Sequence, residues 1–447
     1  NRICTLVLCA GLCVSTIVKA QVSGYSFSQS SGTYTPLTSG TPNFTSGADD
    51  ETITTTLPFS FTYNGTSSSN ISIQYNGFIL MNSTSTSSFG LGSGAFSGTS
   101  GTIISTSNSG TNNIIAGFNI DWQAQSVSKT GTTTSGSPTI TGLSSTSDID
   151  PGMVVTGTGI PSNTFIISKT SSSITLSANA TATGSSVSLT ISSSVITNTI
   201  GTAPNRIFVA QYSGVQRFLV TGEIASFQIR LNETTNSIDV VYGNTSISSS
   251  SSSTAQIGLK GSSNSDFNNR QTSSNWSSTT AGTLNTDACT TSSTVVPTSG
   301  LTFSWVSAPA PSNDNCSGAT SLTVNAAATS GTLLGSAAQS GFSEKDVWYS
   351  FIAGCTGNHT ITVNNFSGDI DYAVYATSCP ASSATSTVGT ALSSVSGSET
   401  GTFNLTNGTT YYVRVFPKSN SSVPTTFDIA VSTVTGVTTA ATSLPAA

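Results

Sequence analysis

The chain has 447 residues, 12 Lys+Arg against 18 Asp+Glu, and a formal net charge of −6. Charged residues make up only 7% of it, against about 25% in an average globular protein. Twelve scattered cations with no basic run exclude a nucleic-acid surface, which needs clustered Lys and Arg, and disfavour an anionic membrane surface for the same reason.

Hydrophobic residues at 35% and aromatics at 8% suffice for packed cores, so the low charge does not signal disorder. Glu occurs five times and Lys six, so strong helix formers are scarce, while Ser, Thr, Asn, Gly, Val and Ile dominate. That composition favours strands and turns. The expected class is all-β, in tandem jelly-roll-like β-sandwich domains, and the length allows about three domains.

Residues 1–20 stand apart. Arg2 precedes an apolar run from Ile3 to Val18, and Val18-Lys19-Ala20 before Gln21 gives a small-residue cleavage pattern. This reads as a secretory signal peptide, too short and wrongly flanked to span a membrane. A lipid anchor at Cys9 or Cys13 is disfavoured by Leu8 and Leu12, where a small residue is wanted. Because the sequence starts with Asn, it is expected to continue upstream.

From Gln21 to about Gln125 alternating strands meet turn signals. Leu57, Phe59, Phe61 and Tyr63 share one face before Asn64-Gly65, and Ile71, Ile73 and Tyr75 share one face before Asn76-Gly77. Residues 127–195 change style, with short β-branched runs, Phe165 as the sole aromatic, and the glycine-rich stretch "DIDPGMVVTGTGIP" at 148–161. A phosphate loop must open a helix, but Phe165, Ile166 and Ile167 follow, so this stretch reads as the bend of an inserted small β module. Asp148 and Asp150 are expected as turn residues, with calcium an outside alternative.

The aromatic style returns after 195. Phe227, Ile229 and Leu231 alternate with Gln228, Arg230 and Asn232, and Ile238, Val240 and Tyr242 answer them across a polar loop, as in a hairpin with one buried face. The serine run at 247–253 reads as an exposed flexible loop. The outer domain is thus expected at 21–126 plus 196–306, with 127–195 inserted. A Pro-rich joint at 306–315 leads to a further sandwich over 307–435, built from "DVWYSF", "HTITVNNF", "DIDYAVY", "TYYVRVF" and "TFDIAVS". Residues 436–447 read as a linker to a region beyond Ala447.

Catalytic players are few. His359 is the only histidine and lies in phase with Ile361 and Val363, as a structural strand residue would. No nucleophile elbow, zinc pair or Walker loop is present. Paired carboxylates, which suffice for a glycosidase, could come from Asp49-Asp50-Glu51, Asp121, Glu223, Asp239, or Asp369 with Asp371. Asp369 and Asp371 could begin a calcium site; no other cofactor is indicated. Trp276 and Trp348 are the candidate exposed aromatics of a glycan platform, although packing is the commoner fate of a lone Trp. Removal of the signal leaves Cys289, Cys316, Cys355 and Cys379, which can pair in three ways; Cys355 with Cys379 is the first choice because both lie in one domain.

"FQIRLNETTNSIDVVYGN", "IGLKGSSNSDFNNRQTSSNWSSTTAGTLNT" and "PTSGLTFSW" resemble the N-terminal β domain of bacterial surface proteins that use type IX secretion. "APSNDNCSGATSLTV", "DVWYSF" and "DYAVYATSC" are similar to pre-peptidase C-terminal β-sandwiches. The segment around 137–166 is similar to a small module of bacterial surface and phage tail-fibre proteins. These resemblances imply a modular exoprotein serving adhesion or display, with no catalytic residues to carry over. The expectation is a non-catalytic, secreted or cell-surface, adhesin-like scaffold whose partners are extracellular glycans or surface proteins. The alternatives are a glycan- or calcium-dependent binding module, and the accessory region of a secreted hydrolase.

Overall fold

A computed structural model describes residues 22–433 except 45–46, 88–95, 98–99, 108–109, 248–251, 337, 367–368, 386, 393–396 and 419–425. The signal-peptide reading of 1–20, the linker reading of 436–447 and most of the serine run lie outside the described residues. Those described form sheets that are antiparallel except where Thr320–Ser321 pairs parallel to Val347–Ile352, with short 3-10 turns and no α-helix. The all-β class follows directly from the β-branched, charge-poor sequence. The chain divides into two compact units, Gln21–Ala308 and the residues from Pro309 onward.

Two large sheets make up most of Gln21–Ala308. One runs Ser26–Ser31, Leu301–Val306, Ile238–Ser246, Ile224–Asn232, Ile207–Arg217, Ser194–Ile200 and Thr41–Pro42, with Trp122–Gln123 also pairing on Ile207–Arg217. The other runs Thr280–Ala281, Phe267–Gln271, Ser253–Lys260, Ile114–Asn119, Phe78–Met81, Thr66–Gln74 and Thr52–Tyr63, with Cys289–Thr291 pairing on Ser253–Lys260. The core between them uses the predicted alternation: Phe61, Tyr63, Ile71, Ile73, Phe227, Ile229 and Leu231 are all fully buried. Phe118 centres it, with its ring 5.1–5.6 Å from those of Trp122, Phe227, Tyr242 and Trp276. Asn64 and Gly65 take positive φ of 51° and 69° between Tyr63 and Thr66, which is the two-residue hairpin turn their side chains favour.

Between Trp122–Gln123 and Ser194–Ile200 the chain leaves the large sheet and builds two three-stranded sheets. Ser126–Thr133, Gly184–Ser192 and Val154–Gly157 form one; Thr139–Ile140, Ile174–Leu176 and Ile166–Lys169 form the other. Ile140, Ile149, Met153, Val155, Ile166 and Leu189 fill a small core of their own. This module meets the outer face of strand Ile224–Asn232 at Ser226, through Asp150, and the segment around Thr35 lies over Gln228 beside it. Of the predicted polar face, Gln228 is buried at 1% exposure and Arg230 and Asn232 are partly buried, and Ser226 beside them is 2% exposed. The polar groups are satisfied there, as burial requires, for Gln228 donates to Gln211 Oε1 at 2.7 Å and Leu37 N to the same oxygen at 2.7 Å.

The unit from Pro309 onward is a sandwich. A five-stranded sheet orders Thr320–Ser321, Val347–Ile352, Thr410–Pro417, Ile370–Ala376 and Gly389–Ala391; a four-stranded sheet orders Thr329–Gly331, Phe427–Thr433, Gly357–Asn364 and Ser398–Leu405. All five strands expected from alternation are present. Val347, Ile361, Val363, Tyr372, Val413 and Ile429 are fully buried between the sheets.

Candidate functional site

Three carboxylates converge in Gln21–Ala308. Asp49 and Asp50 lie in the bend leading into strand Thr52–Tyr63, at the edge of one large sheet. Asp121 lies where the chain crosses from strand Ile114–Asn119 of that sheet to Trp122–Gln123 of the other. One oxygen from each lies within 4.8 Å of the others. A backbone bond sets the two segments side by side, Ala124 N donating to Ala48 O at 2.7 Å, and Phe218 N, just after strand Ile207–Arg217, holds Asp121 O at 2.8 Å. Asn76, in the second Asn-Gly turn, joins them. Its amide nitrogen donates to Asp50 Oδ1 at 3.0 Å, and its Oδ1 accepts from Trp122 N at 2.7 Å.

Among the described residues, no cation acts on this cluster. Asp121 is 3% exposed, its carboxylate accepts no hydrogen bond from a described residue, and the charges acting on it are those of Asp49 and Asp50. Burial, then that repulsion, pushes it up to about 7. Asp49 is pushed up to about 6 by burial and then by Asp50 and Glu51, and its Oδ1 is buried without a partner. Burial also raises Asp50, against the hydrogen bond from Asn76. Glu51 accepts from the Asp49 amide. An all-oxygen donor set without His or Cys suits a hard cation.

Of the other carboxylates named from sequence, Glu223, Asp239 and Asp369 have structural partners, while Asp371 Oδ1 is buried without one. Glu223 accepts from Arg217 Nε at 2.8 Å and Nη2 at 2.6 Å, both side chains buried. Asp239 accepts from Ser304 Oγ at 2.6 Å and Asn232 Nδ2 at 2.9 Å. Asp369 faces Lys418 at 3.5 Å, and Asp371, 4% exposed, is pushed up to about 6 by burial and then by Asp369. His359 is fully buried in strand Gly357–Asn364, with Nδ1 3.1 Å from Gly357 O.

Two expectations need correction. Trp276 and Trp348 are 1% and 0% exposed and offer no glycan platform. Trp276 starts a 3-10 turn that drives its ring into the core against Phe118 and Tyr242, with Nε1 donating to Thr290 O at 2.9 Å. Trp348 is out of phase with its neighbours because its strand is covered on both faces. It packs on Phe342 and Tyr375 and donates to Asp346 Oδ1 at 3.1 Å. The disulfide joins Cys379 to Cys316, not to Cys355, across 63 residues. The 3-10 turn Cys316–Gly318 buries Cys316 beside Trp348, whereas Cys355 is exposed in the turn after strand Val347–Ile352.

On the sandwich, Ser312, Asn313, Thr320, Ser330, Thr332 and Tyr349 line a cleft of about 430 Å³ whose wall is mostly hydroxyl and amide.

A family described as NIDO related matches residues 24–140 and 155–307, more than half of the sequence. The chain belongs to the NIDO-related family. A second family, described as galactose binding domain-like and associated with type IX secretion, matches residues 312–429. The chain is similar to two solved structures. One is the pre-peptidase C-terminal domain of a collagenase from Bacillus anthracis, at 18% identity and TM-score 0.20, covering 25% of this chain and 93% of that one. The other is the Aeromonas hydrophila PliG, a periplasmic inhibitor of g-type lysozyme, at 17% identity and TM-score 0.18, covering 25% and 96%. No curated protein matches the chain.

All three converging carboxylates of the NIDO-related domain fall within 24–140. Sequence reasoning named them as separate candidates and passed over Asn76, whose visible signal was only that of a turn. The asparagine does both jobs: it turns the backbone and holds Asp50 against Trp122.

Proposed function

We propose that the protein is a non-catalytic, adhesin-like scaffold that works outside the cell and holds extracellular glycans through its C-terminal sandwich. The observation that carries this reading is the union, in one chain, of a NIDO-related domain with a galactose-binding-domain-like domain of the type IX secretion kind. The polar cleft on that sandwich supports it, because a wall of hydroxyls and amides suits a hydroxyl-rich ligand. The Cys316–Cys379 disulfide suits an oxidising compartment.

A glycan array probed with the purified chain tests this reading. Retention on galactose-bearing spots, lost with excess free galactose, is the expected result. A chain retained on no spot would remove the glycan as its partner.

A further inference from the structure

We propose that Asp49, Asp50 and Asp121 form a calcium site that clips the bend before strand Thr52–Tyr63 to the crossover between the two large sheets. Calcium holds its oxygen ligands at about 2.3–2.6 Å, so two ligands of one ion stand at most about 5 Å apart. The three carboxylate oxygens fall inside that limit, all within 4.8 Å of one another. Two further observations point to an ion. Asp121 is 3% exposed, and its carboxylate is turned toward two other carboxylates and accepts no hydrogen bond among the described residues. Asp49 Oδ1 is likewise buried without a partner. Buried charges are ordinarily paired or metal-bound, and here the surrounding charges are all negative.

The rest of the shell is prearranged. Asn76 holds Asp50 by one oxygen and Trp122 N by its own Oδ1, so both segments are fixed before any ion arrives. Asp49 and Asp50 are half-buried, which leaves a path for the ion and positions for water to complete six to eight ligands. An ion there joins an edge strand of one sheet to the strand that pairs with Ile207–Arg217 in the other. It would therefore stiffen the sandwich where the chain changes sheets.

The test uses the full chain stripped with EDTA. Calcium at ten times its dissociation constant should raise the melting temperature by about 3 °C. Terbium, as a calcium surrogate, should luminesce through Trp122, and calcium should quench that signal. Asp121→Asn removes a buried charge without changing shape, so in EDTA it should melt no lower than wild type, yet show no calcium shift and no terbium signal. Asp49→Asn should behave alike, and Asp371→Asn should keep both responses. A wild type indifferent to calcium, an Asp121→Asn protein with the full calcium shift, or an equal shift with magnesium would each overturn the assignment.

Discussion

Asp150, in the turn before strand Val154–Gly157 of the small sheets, accepts a 2.8 Å hydrogen bond from Ser226 Oγ in the host strand Ile224–Asn232. Asn244 Nδ2 reaches both of its oxygens at 3.1 Å, and Lys169 Nζ of the module lies 2.9 Å away. A residue that looked like one of two turn aspartates is thus the clamp between module and host. Its neighbour Asp148 only pairs with Lys129 near the surface. Asp150→Ala takes the carboxylate from the buried Ser226 hydroxyl, from Asn244 and from Lys169, which keeps the carbonyls of Thr146 and Ile149, and should cost about 3 kcal/mol. Ser226→Ala should cost about 1.5–3 kcal/mol, as expected for a hydrogen bond to a charged group. Urea midpoints of the two variants check both values.

Gly152, two residues on, lets the module approach this closely. Its φ is +96°, and a Cβ there would meet Ser213 Oγ at 2.0 Å. Gly152→Ala should therefore destabilise the domain by more than the about 1 kcal/mol lost on average by a point mutation, again read from the urea midpoint.

Arg414 should matter most to the sandwich. It donates to Asp346 at 2.6 Å and to Glu344 at 3.1 Å, between the rings of Phe342 and Phe416 at 4.1 and 4.3 Å. Lysine keeps the charge but has neither the planar fork nor the ring stacking, so Arg414→Lys should lose about 2 kcal/mol. Arg414→Leu leaves Asp346 buried and unpaired, and should lose about 3–5 kcal/mol. Thermal melts of the two variants, compared with Arg206→Lys at the more exposed pair with Glu233, give the ranking.

Reduction should act on the same unit. Closing a 63-residue loop is worth about 4 kcal/mol by chain entropy. Cys316→Ser should lower the melting temperature and abolish its sensitivity to reductant. Under native, oxidising conditions a maleimide should label the exposed Cys355 and spare the buried Cys289, which peptide mass spectrometry resolves.

Lys260 sets a pH dependence. It is fully buried, donates to Thr106 O at 2.5 Å, and is pushed down to about 8 by burial. Its folded pKa lies below the unfolded value of 10.5, so between about pH 8 and 10 the unfolded chain holds the proton that the folded chain has released. Stability therefore rises with pH across that window. Lys260→Met should be the more stable protein at pH 7, and should lack the rise in urea midpoint between pH 8 and 9.5.

Much of the fold was legible because alternation survives in a charge-poor sequence. The five main strands of the sandwich and both Asn-Gly turns follow from residue order alone. The misreadings share one cause: a second layer of cover that local pattern does not encode. Gln228 looks like part of a solvent face until the segment around Thr35 lies over it, and Trp348 looks stray until Phe342 and Tyr375 enclose it. Trp276 sits in a Ser-rich stretch that suggests exposure, yet it fills the core under Phe118. The acidic cluster was half visible. Asp49, Asp50 and Asp121 stood out as carboxylates, but the first two meet the third only through the sheet crossover, which no spacing announces.

The central claim, a scaffold that holds glycans without changing them, is tested most directly by one equilibrium measurement. Galactose-terminated oligosaccharide is incubated with excess purified chain, and the bound fraction and the recovered sugar are measured from the same sample by mass spectrometry. The account predicts saturable binding and recovery of the oligosaccharide intact. Recovery of cleaved sugar, or no bound fraction at any concentration reached, would contradict it.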